Sequence, residues 1–240
     1  MYTREQIAGA IDHTLLKTTA TQQDILKICA EARDLGLFAV CVPPCYVAIA
    51  AAALEGSHVR VAAVIGFPHG YNETEVKAFE AAEAVRAGAA EVDMVVNIGA
   101  VKAGDWTYVE RDIARVVEEA RRSGAARGTR PLVKVIIETA ALTDDEKRSA
   151  CLAAKRACAD YVKTSTGFGG GGATEADVRL MRETVGPGMG VKASGGVRTL
   201  DQAIAMLQAG ATRIGTSNGG AIVREFDERV RSNGRGEDKF

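Results

Sequence analysis

The chain alternates between short apolar runs rich in β-branched residues and longer segments with the hydrophobic period of helices. We predict eight strands, which cover residues 10–15, 37–42, 60–66, 91–97, 132–137, 160–164, 189–193 and 212–215. A helix follows each strand, and these helices cover residues 21–35, 44–55, 72–87, 105–123, 143–158, 174–185, 199–209 and 218–231.

Several helix boundaries carry recognisable signals. Four of the predicted helices follow a threonine with acidic or glutamine residues in the next turn, a pattern typical of N-terminal capping. These threonines are Thr21, Thr143, Thr174 and Thr199. Glycine is the residue that most often ends a helix. It occurs where four of these helices are expected to stop, at Gly36, Gly88, Gly124 and Gly210.

The order of these elements predicts the fold class. Strands that are apolar almost throughout indicate a parallel sheet covered by helices. Eight strand–helix units in 240 residues favour a closed (β/α)8 TIM barrel, whose usual size is about 250 residues; a doubly wound open sheet is the alternative. With no linker before about residue 231, we predict one domain over 1–230 and a polar, flexible tail over 231–240.

Composition and charge exclude several classes of protein. Thirty basic against 31 acidic residues give a net charge of −1, which provides no field for nucleic acid or an anionic membrane. The uncharged run 35–54 is interrupted by Pro43 and Pro44, so we interpret it as a strand and a helix rather than a membrane span. Five cysteines and no apolar targeting segment indicate a reduced, cytoplasmic protein.

Four ionisable residues interrupt apolar strands: Asp93, Lys134, Lys163 and Lys192. Because burying an unpaired charge costs several kcal/mol, such groups are retained when they are paired or used. Their immediate neighbours are larger apolar residues suited to packing under helices, so the charged side chains should face the barrel interior. Lys163 and Lys192 also lie at the carboxyl ends of their strands, where barrel enzymes place their chemistry.

The four charges divide into two expected roles. Lys134 is interpreted as a structural ion-pair partner of Asp93 on the neighbouring strand. Lys163 and Lys192 lie on successive strands, where their positive charges repel each other. A nearby cation and a dry environment lower the pKa of a lysine, and the free amine can then attack a carbonyl. A carboxylate close to the pair can move the protons.

Glycine-rich segments predict a phosphate site. Gly195 and Gly196 follow the seventh strand, and residues 215–220 follow the eighth and lead into the last helix. In this fold, phosphate binds at those loops and at the N-terminus of a helix; simple turn formation is the alternative.

Residues 167–172 match the dinucleotide-binding pattern G-x-G-x-x-G, but the acidic residue expected about 20 residues later is absent. We interpret them as a mobile loop that closes over substrate beside Lys163.

Seven segments together resemble one family, the 2-deoxyribose-5-phosphate aldolases. They are IDHTLLK at 11–17, VIGFPHG at 64–70, EVDMVVNIG at 91–99, VKVIIET at 133–139, DYVKTSTGF at 160–168, VKASGGVRT at 191–199 and RIGTS at 213–217. These segments fall on almost every predicted strand, and KTSTGF is the most specific of them.

The resemblance implies a class I aldolase of deoxyribose phosphate catabolism on a TIM barrel. Such an enzyme reversibly cleaves 2-deoxy-D-ribose 5-phosphate to D-glyceraldehyde 3-phosphate and acetaldehyde. By position, Lys163 resembles the Schiff-base lysine, Lys192 the lysine that keeps it deprotonated, and Asp93 the proton-relay carboxylate. No cofactor is implied. The three histidines also lack metal-ligand spacing, so no metal is expected either.

The resemblance also assigns the substrate-binding residues. The phosphate and substrate positions are Thr166, Gly167, Gly195, Gly196, Gly215, Ser217 and Asn218. Asp12 and Thr14 match a motif that lines the same mouth. Some family members end in a tyrosine that reaches the site, whereas this chain ends in Phe240. A homo-oligomer, dimer or tetramer, is expected.

Two other functions remain open at this point. A phosphosugar isomerase or lyase would keep the barrel and the phosphate site but form no Schiff base. A non-catalytic phosphosugar-binding barrel would bind without turnover. The lysine pair argues against the second alternative, because capturing an anion gains nothing from a lowered lysine pKa.

Overall fold

A computed structural model describes residues 2–234 and contains a closed barrel of eight parallel strands. The strands are β1 Ile11–Thr14, β2 Ala39–Val42, β3 Arg60–Ile65, β4 Glu91–Val95, β5 Leu132–Ile136, β6 Tyr161–Lys163, β7 Gly190–Ser194 and β8 Arg213–Thr216. Each strand pairs with the next in the chain, and β8 pairs with β1 to close the sheet. The predicted TIM barrel is therefore confirmed, and the open sheet is wrong.

Helices form the outer layer. They are α1 Arg4–Ala8, α2 Gln22–Leu35, α3 Val47–Ala53, α4 Thr74–Arg86, α5 Ile98–Lys102, α6 Trp106–Ala125, α7 Asp144–Arg156, α8 Glu175–Val185, α9 Leu200–Gln208 and α10 Gly219–Gly234. Short 3-10 helices cover Pro44–Tyr46 and Thr139–Ala141. Each of the four predicted capping threonines accepts a backbone N–H of the first turn, which confirms those helix starts.

Two helix predictions are corrected. Gly124 does not end its helix: α6 continues to Ala125, and Pro131 packs so closely against Gly124 that a side chain there would clash. The short helix α5 was not predicted. It begins after Asn97, whose side chain accepts the backbone N–H of Ala100.

The last helix also differs from the prediction. Helix α10 continues through Gly234, so the predicted polar tail 231–240 begins inside a helix. Residues 235–240, including the terminal Phe240, lie outside the described residues. The single domain over 1–230 stays a prediction.

The strands have two differently composed faces. Val92 and Met94 belong to the large apolar core between barrel and helices. Asp93, which alternates with them, points inward and is fully buried.

The apolar run 35–54 folds as β2, a 3-10 turn and α3, as interpreted from its prolines. Among residues 2–234, the structure contains no helix with the length and apolarity to cross a membrane.

Candidate active site

Three lysines converge on one aspartate inside the barrel. Asp93 accepts a hydrogen bond on Oδ1 from Lys134 at 2.6 Å, and on Oδ2 from Lys163 and Lys192 at 2.8 Å each. The parallel register causes this convergence, because it places Lys134 beside Asp93 and Lys192 beside Lys163. The structure thus contains the ion pair expected between Asp93 and Lys134, and it brings both other lysines to the same carboxylate.

Three further charged residues extend the cluster below Asp93. Asp12 accepts from Lys192 at 2.5 Å and from Arg213 at 2.8 Å, while Glu91 pairs with Lys134 at 2.6 Å and lies 3.3 Å from Arg213. Asp12 therefore lies inside the barrel and not at its mouth, which corrects its expected place. Glu91 and Arg213 were missed by the sequence analysis.

The buried cluster contains one more basic group than acidic groups. Its carboxylates are Asp12, Glu91 and Asp93, and its bases are Lys134, Lys163, Lys192 and Arg213. Because an uncompensated buried charge is costly, the arrangement favours one neutral base. Lys163 is the base with the fewest carboxylate partners, since Asp93 is the one carboxylate that it pairs with among the described residues.

The pKa shifts agree with this charge balance. Burial and the neighbouring Lys192 lower the pKa of Lys163, although Asp93 opposes them. Burial by itself would lower the pKa of Lys192, but Asp12 and Asp93 outweigh it and raise that pKa. Burial likewise opposes the ionisation of Asp93, yet the three lysines hold its pKa well below the usual range. Lys163 is therefore the group most ready to act as a free amine.

A cavity of about 240 Å³ opens above the lysines at the carboxyl ends of the strands. Lys163 lines it, and its side chain is only 3% exposed. The seven predicted substrate-binding residues also line it: Thr166, Gly167, Gly195, Gly196, Gly215, Ser217 and Asn218. Thr14 lines the cavity as the sequence analysis expected. Every predicted binding residue therefore faces the same space as the amine.

The cavity that Lys163 lines also offers backbone N–H groups. Gly195 and Gly196 turn the chain with φ of 86° and 82°, a conformation that favours glycine. Within residues 2–234, the N–H groups of Gly195, Gly196 and Ser217 donate to no protein acceptor. Helix α10 begins two residues after Ser217. Free N–H groups beside a helix N-terminus form a site suited to an anion such as phosphate.

Two cationic residues at this cavity were not singled out from the sequence. Lys17 and Arg198 both line it, and they carry the flexible positive charges that a phosphate site would use. A signal was present, since Lys17 ends the segment IDHTLLK and Arg198 lies near the end of VKASGGVRT.

The glycine-rich loop 167–172 lies at the rim, as its position beside Lys163 suggested. Gly171 packs against Ala140 and Gly172 against Gly195, which holds the loop on two neighbouring segments. Phe168 is 51% exposed and contacts Phe67 edge to face, with ring centroids 5.3 Å apart. The mobility of the loop stays a prediction.

Comparison with known proteins identifies relatives across nearly the whole chain. The family described as "DeoC/LacD family aldolase" matches residues 6–225. A deoxyribose-phosphate aldolase from Enterococcus faecalis is 59% identical over 213 residues, covering 89% of this chain and 94% of the relative. One from Thermococcus gammatolerans is 58% identical over 219 residues, covering 90% and 95%.

Solved structures agree in fold. The tetrameric deoxyribose phosphate aldolase from Aeropyrum pernix superposes with a TM-score of 0.86 at 35% identity, covering 95% of this chain and 94% of that one. The solved structure of QR15, an aldolase, gives a TM-score of 0.86 at 39% identity, covering 93% of this chain and 97% of that one.

Proposed function

The chain belongs to the DeoC/LacD family of aldolases, and we propose that it reversibly cleaves 2-deoxy-D-ribose 5-phosphate to D-glyceraldehyde 3-phosphate and acetaldehyde. This is a carbon–carbon lyase reaction of deoxyribose phosphate catabolism. The observation that carries the proposal is the position of Lys163, a buried lysine of lowered pKa that shares one cavity with a glycine-lined anion site.

The amine of Lys163 is the nucleophile. It attacks the aldehyde carbon of the open-chain sugar, and loss of water gives an iminium ion. The iminium accepts the electron pair of the C2–C3 bond when the C3 hydroxyl loses its proton, which releases glyceraldehyde 3-phosphate and leaves an enamine. Protonation of the enamine carbon and hydrolysis then release acetaldehyde and restore the amine.

Asp93 and Lys192 serve the proton transfers. Asp93 Oδ2 lies 2.8 Å from both Lys163 and Lys192, so one oxygen connects the reacting nitrogen to a second proton carrier. Lys192 stays an ammonium ion because Asp12 and Asp93 raise its pKa, and its charge helps to lower the pKa of Lys163. Lys134 pairs with the other oxygen of Asp93, Oδ1, and offsets part of the negative charge of that carboxylate.

The phosphate group orients the substrate. We assign it to the free N–H groups of Gly195, Gly196 and Ser217 at the N-terminal end of α10, with Lys17 and Arg198 at the rim. Binding the phosphate there holds the sugar against the amine at the other side of the cavity.

The first test measures cleavage of 2-deoxyribose 5-phosphate and of unphosphorylated 2-deoxyribose by the purified protein. We expect cleavage of both, with KM about 10²- to 10³-fold higher for the unphosphorylated sugar, because it loses several charge-assisted hydrogen bonds. Equal efficiency on the two sugars would contradict the phosphate site. Binding without cleavage would support a non-catalytic barrel instead.

A second prediction concerns the pH dependence of imine formation. Lys192→Met removes the cation that lowers the pKa of Lys163, so the pKa of Lys163 should rise. The protonated form cannot attack a carbonyl, so the pH profile of borohydride-trapped imine should shift to higher pH. Lys77→Met is the matched control, because Lys77 is equally buried but pairs with Asp112 outside the barrel. An unchanged profile in Lys192→Met would refute the role of Lys192.

Assembly and location complete the proposal. We propose that the chain forms a homo-oligomer, dimer or tetramer, which is supported by the tetrameric structure of the Aeropyrum pernix relative. We also propose a reducing, cytoplasmic location, which is supported by five cysteines that are all free.

A further inference from the structure

Glu138 is a buried acid beside the cavity that the mechanism above does not use. It lies two residues after the end of β5 and is 2% exposed. Its backbone adopts the left-handed conformation, with φ 57° and ψ 66°. For a residue other than glycine, that conformation persists when the surroundings impose it, and such positions concentrate at functional sites.

The carboxylate of Glu138 holds the turn that follows β6. Its Oε2 accepts the backbone N–H of Thr166 at 3.2 Å and also the hydroxyl of Thr166. The same hydroxyl oxygen accepts the N–H of Phe168 at 3.0 Å. A continuous set of hydrogen bonds therefore runs from β5 to the 166–168 turn, and this turn forms one wall of the cavity.

The packing around the carboxylate is equally close. A Cβ atom on Gly169 would lie 2.7 Å from the carboxylate of Glu138, so the loop is shaped to fit that side chain. Within the described part of the chain, Glu138 forms no ion pair and its Oε1 has no hydrogen-bond partner. A buried polar oxygen without a partner is costly, which argues against a role in stability alone.

Lys163 is positioned independently of this side chain. The backbone N–H of Ile137 donates to the carbonyl of Lys163 at 3.0 Å, and that of Thr139 donates to Thr164 at 2.9 Å. The side chain of residue 138 takes no part in these main-chain bonds to the end of β6. Loss of the Glu138 carboxylate should therefore release the 166–168 turn and leave the amine in place.

We propose that Glu138 is a positioning residue that holds Thr166 and Gly167 against the phosphate end of the cavity and so sets the preference for phosphorylated substrates. The proposal rests on the proposed function. Glu138 acts on substrate binding through Thr166 and takes no part in the imine chemistry.

The test compares Glu138→Ala with Glu138→Gln on phosphorylated and unphosphorylated 2-deoxyribose. For Glu138→Ala we expect KM for the phosphorylated sugar to rise about 10- to 100-fold, because a binding wall is displaced, while kcat changes less than about three-fold. KM for the unphosphorylated sugar and borohydride trapping of acetaldehyde should stay near the wild-type values. Glu138→Gln keeps an acceptor oxygen for Thr166 and should restore most of the affinity.

Two further variants keep the test decisive. Glu138→Gly removes the side chain but suits a left-handed backbone, so it should reproduce the KM effect even if Glu138→Ala folds poorly. Combining Glu138→Ala with Thr166→Val should raise KM by less than the product of the single effects, because both act on one contact.

The outcomes separate this proposal from the proposed function. An unchanged KM for the phosphorylated sugar in folded Glu138→Ala or Glu138→Gly would overturn the proposal. Similar losses of activity on both sugars and of borohydride trapping would overturn it too. If the wild-type protein traps acetaldehyde on Lys163 but cleaves neither sugar, the proposed function fails. The role of Glu138 in that reaction then fails with it.

Discussion

Lys163→Met is expected to abolish cleavage, lowering kcat by about 10⁴-fold or more, because no other group can form the covalent intermediate. Lys192 cannot replace it, since Asp12 and Asp93 keep Lys192 protonated. Methionine approximates the length of lysine and carries no charge, so the cavity keeps its shape. Cleavage of 2-deoxyribose 5-phosphate, followed as release of glyceraldehyde 3-phosphate, measures the effect.

The fold of this variant should survive. Without Lys163 the buried cluster keeps three carboxylates and three bases, which is a balanced set of charges. Lys77→Met provides the control, because it removes an equally buried lysine that pairs with Asp112 at 2.7 Å in the helical layer. The control should lose stability and keep its activity per folded molecule. Cleavage at more than a few per cent of the wild-type rate by folded Lys163→Met would contradict the assignment.

Asp93→Asn is expected to damage both stability and catalysis. It leaves Lys134 and Lys192 without the carboxylate that each contacts within 2.8 Å, in a fully buried site. Breaking a buried ion pair from one side costs about 3–5 kcal/mol. Loss of the proton relay should lower kcat by a further factor of about 10²–10⁴ in the molecules that remain folded. Chemical denaturation and the cleavage assay, corrected for the folded fraction, measure the two effects.

Asp112→Asn is the matched control for Asp93. Asp112 is also fully buried and accepts hydrogen bonds from Lys77 and Thr74, but it lies between α4 and α6. We expect a comparable loss of stability and no loss of kcat per folded molecule. If both variants lost activity in proportion to stability alone, Asp93 would be a structural residue and the relay would have to be reassigned.

The reacting groups could be predicted because they break a pattern. Asp93, Lys163 and Lys192 stand in otherwise apolar strands, and the period of two in a strand places them on the inner face of a barrel. The resemblance then supplied a role for each of them. The glycines of the anion site could be predicted from their place in the fold, because the loops after the last two strands of a TIM barrel border its phosphate site.

The partners of these groups were harder to predict. Glu91 lies two residues before Asp93 and so shares its face, but which lysine it meets depends on how adjacent strands are staggered around the barrel. Arg213 interacts with Asp12 across the closure of the sheet, far apart in sequence. Glu138 carried no periodic signal, because its role depends on a left-handed backbone that a single acid after a strand does not reveal.

The most direct test of the central claim is borohydride reduction in the presence of acetaldehyde, followed by intact-mass analysis and peptide mapping. We predict one ethyl adduct per chain, located on Lys163. The yield of this adduct should rise with pH, because protonated Lys163 loses its proton and becomes the nucleophilic amine. An adduct on Lys192 instead would reverse the roles of the two lysines, and folded protein without any adduct would contradict the Schiff-base mechanism.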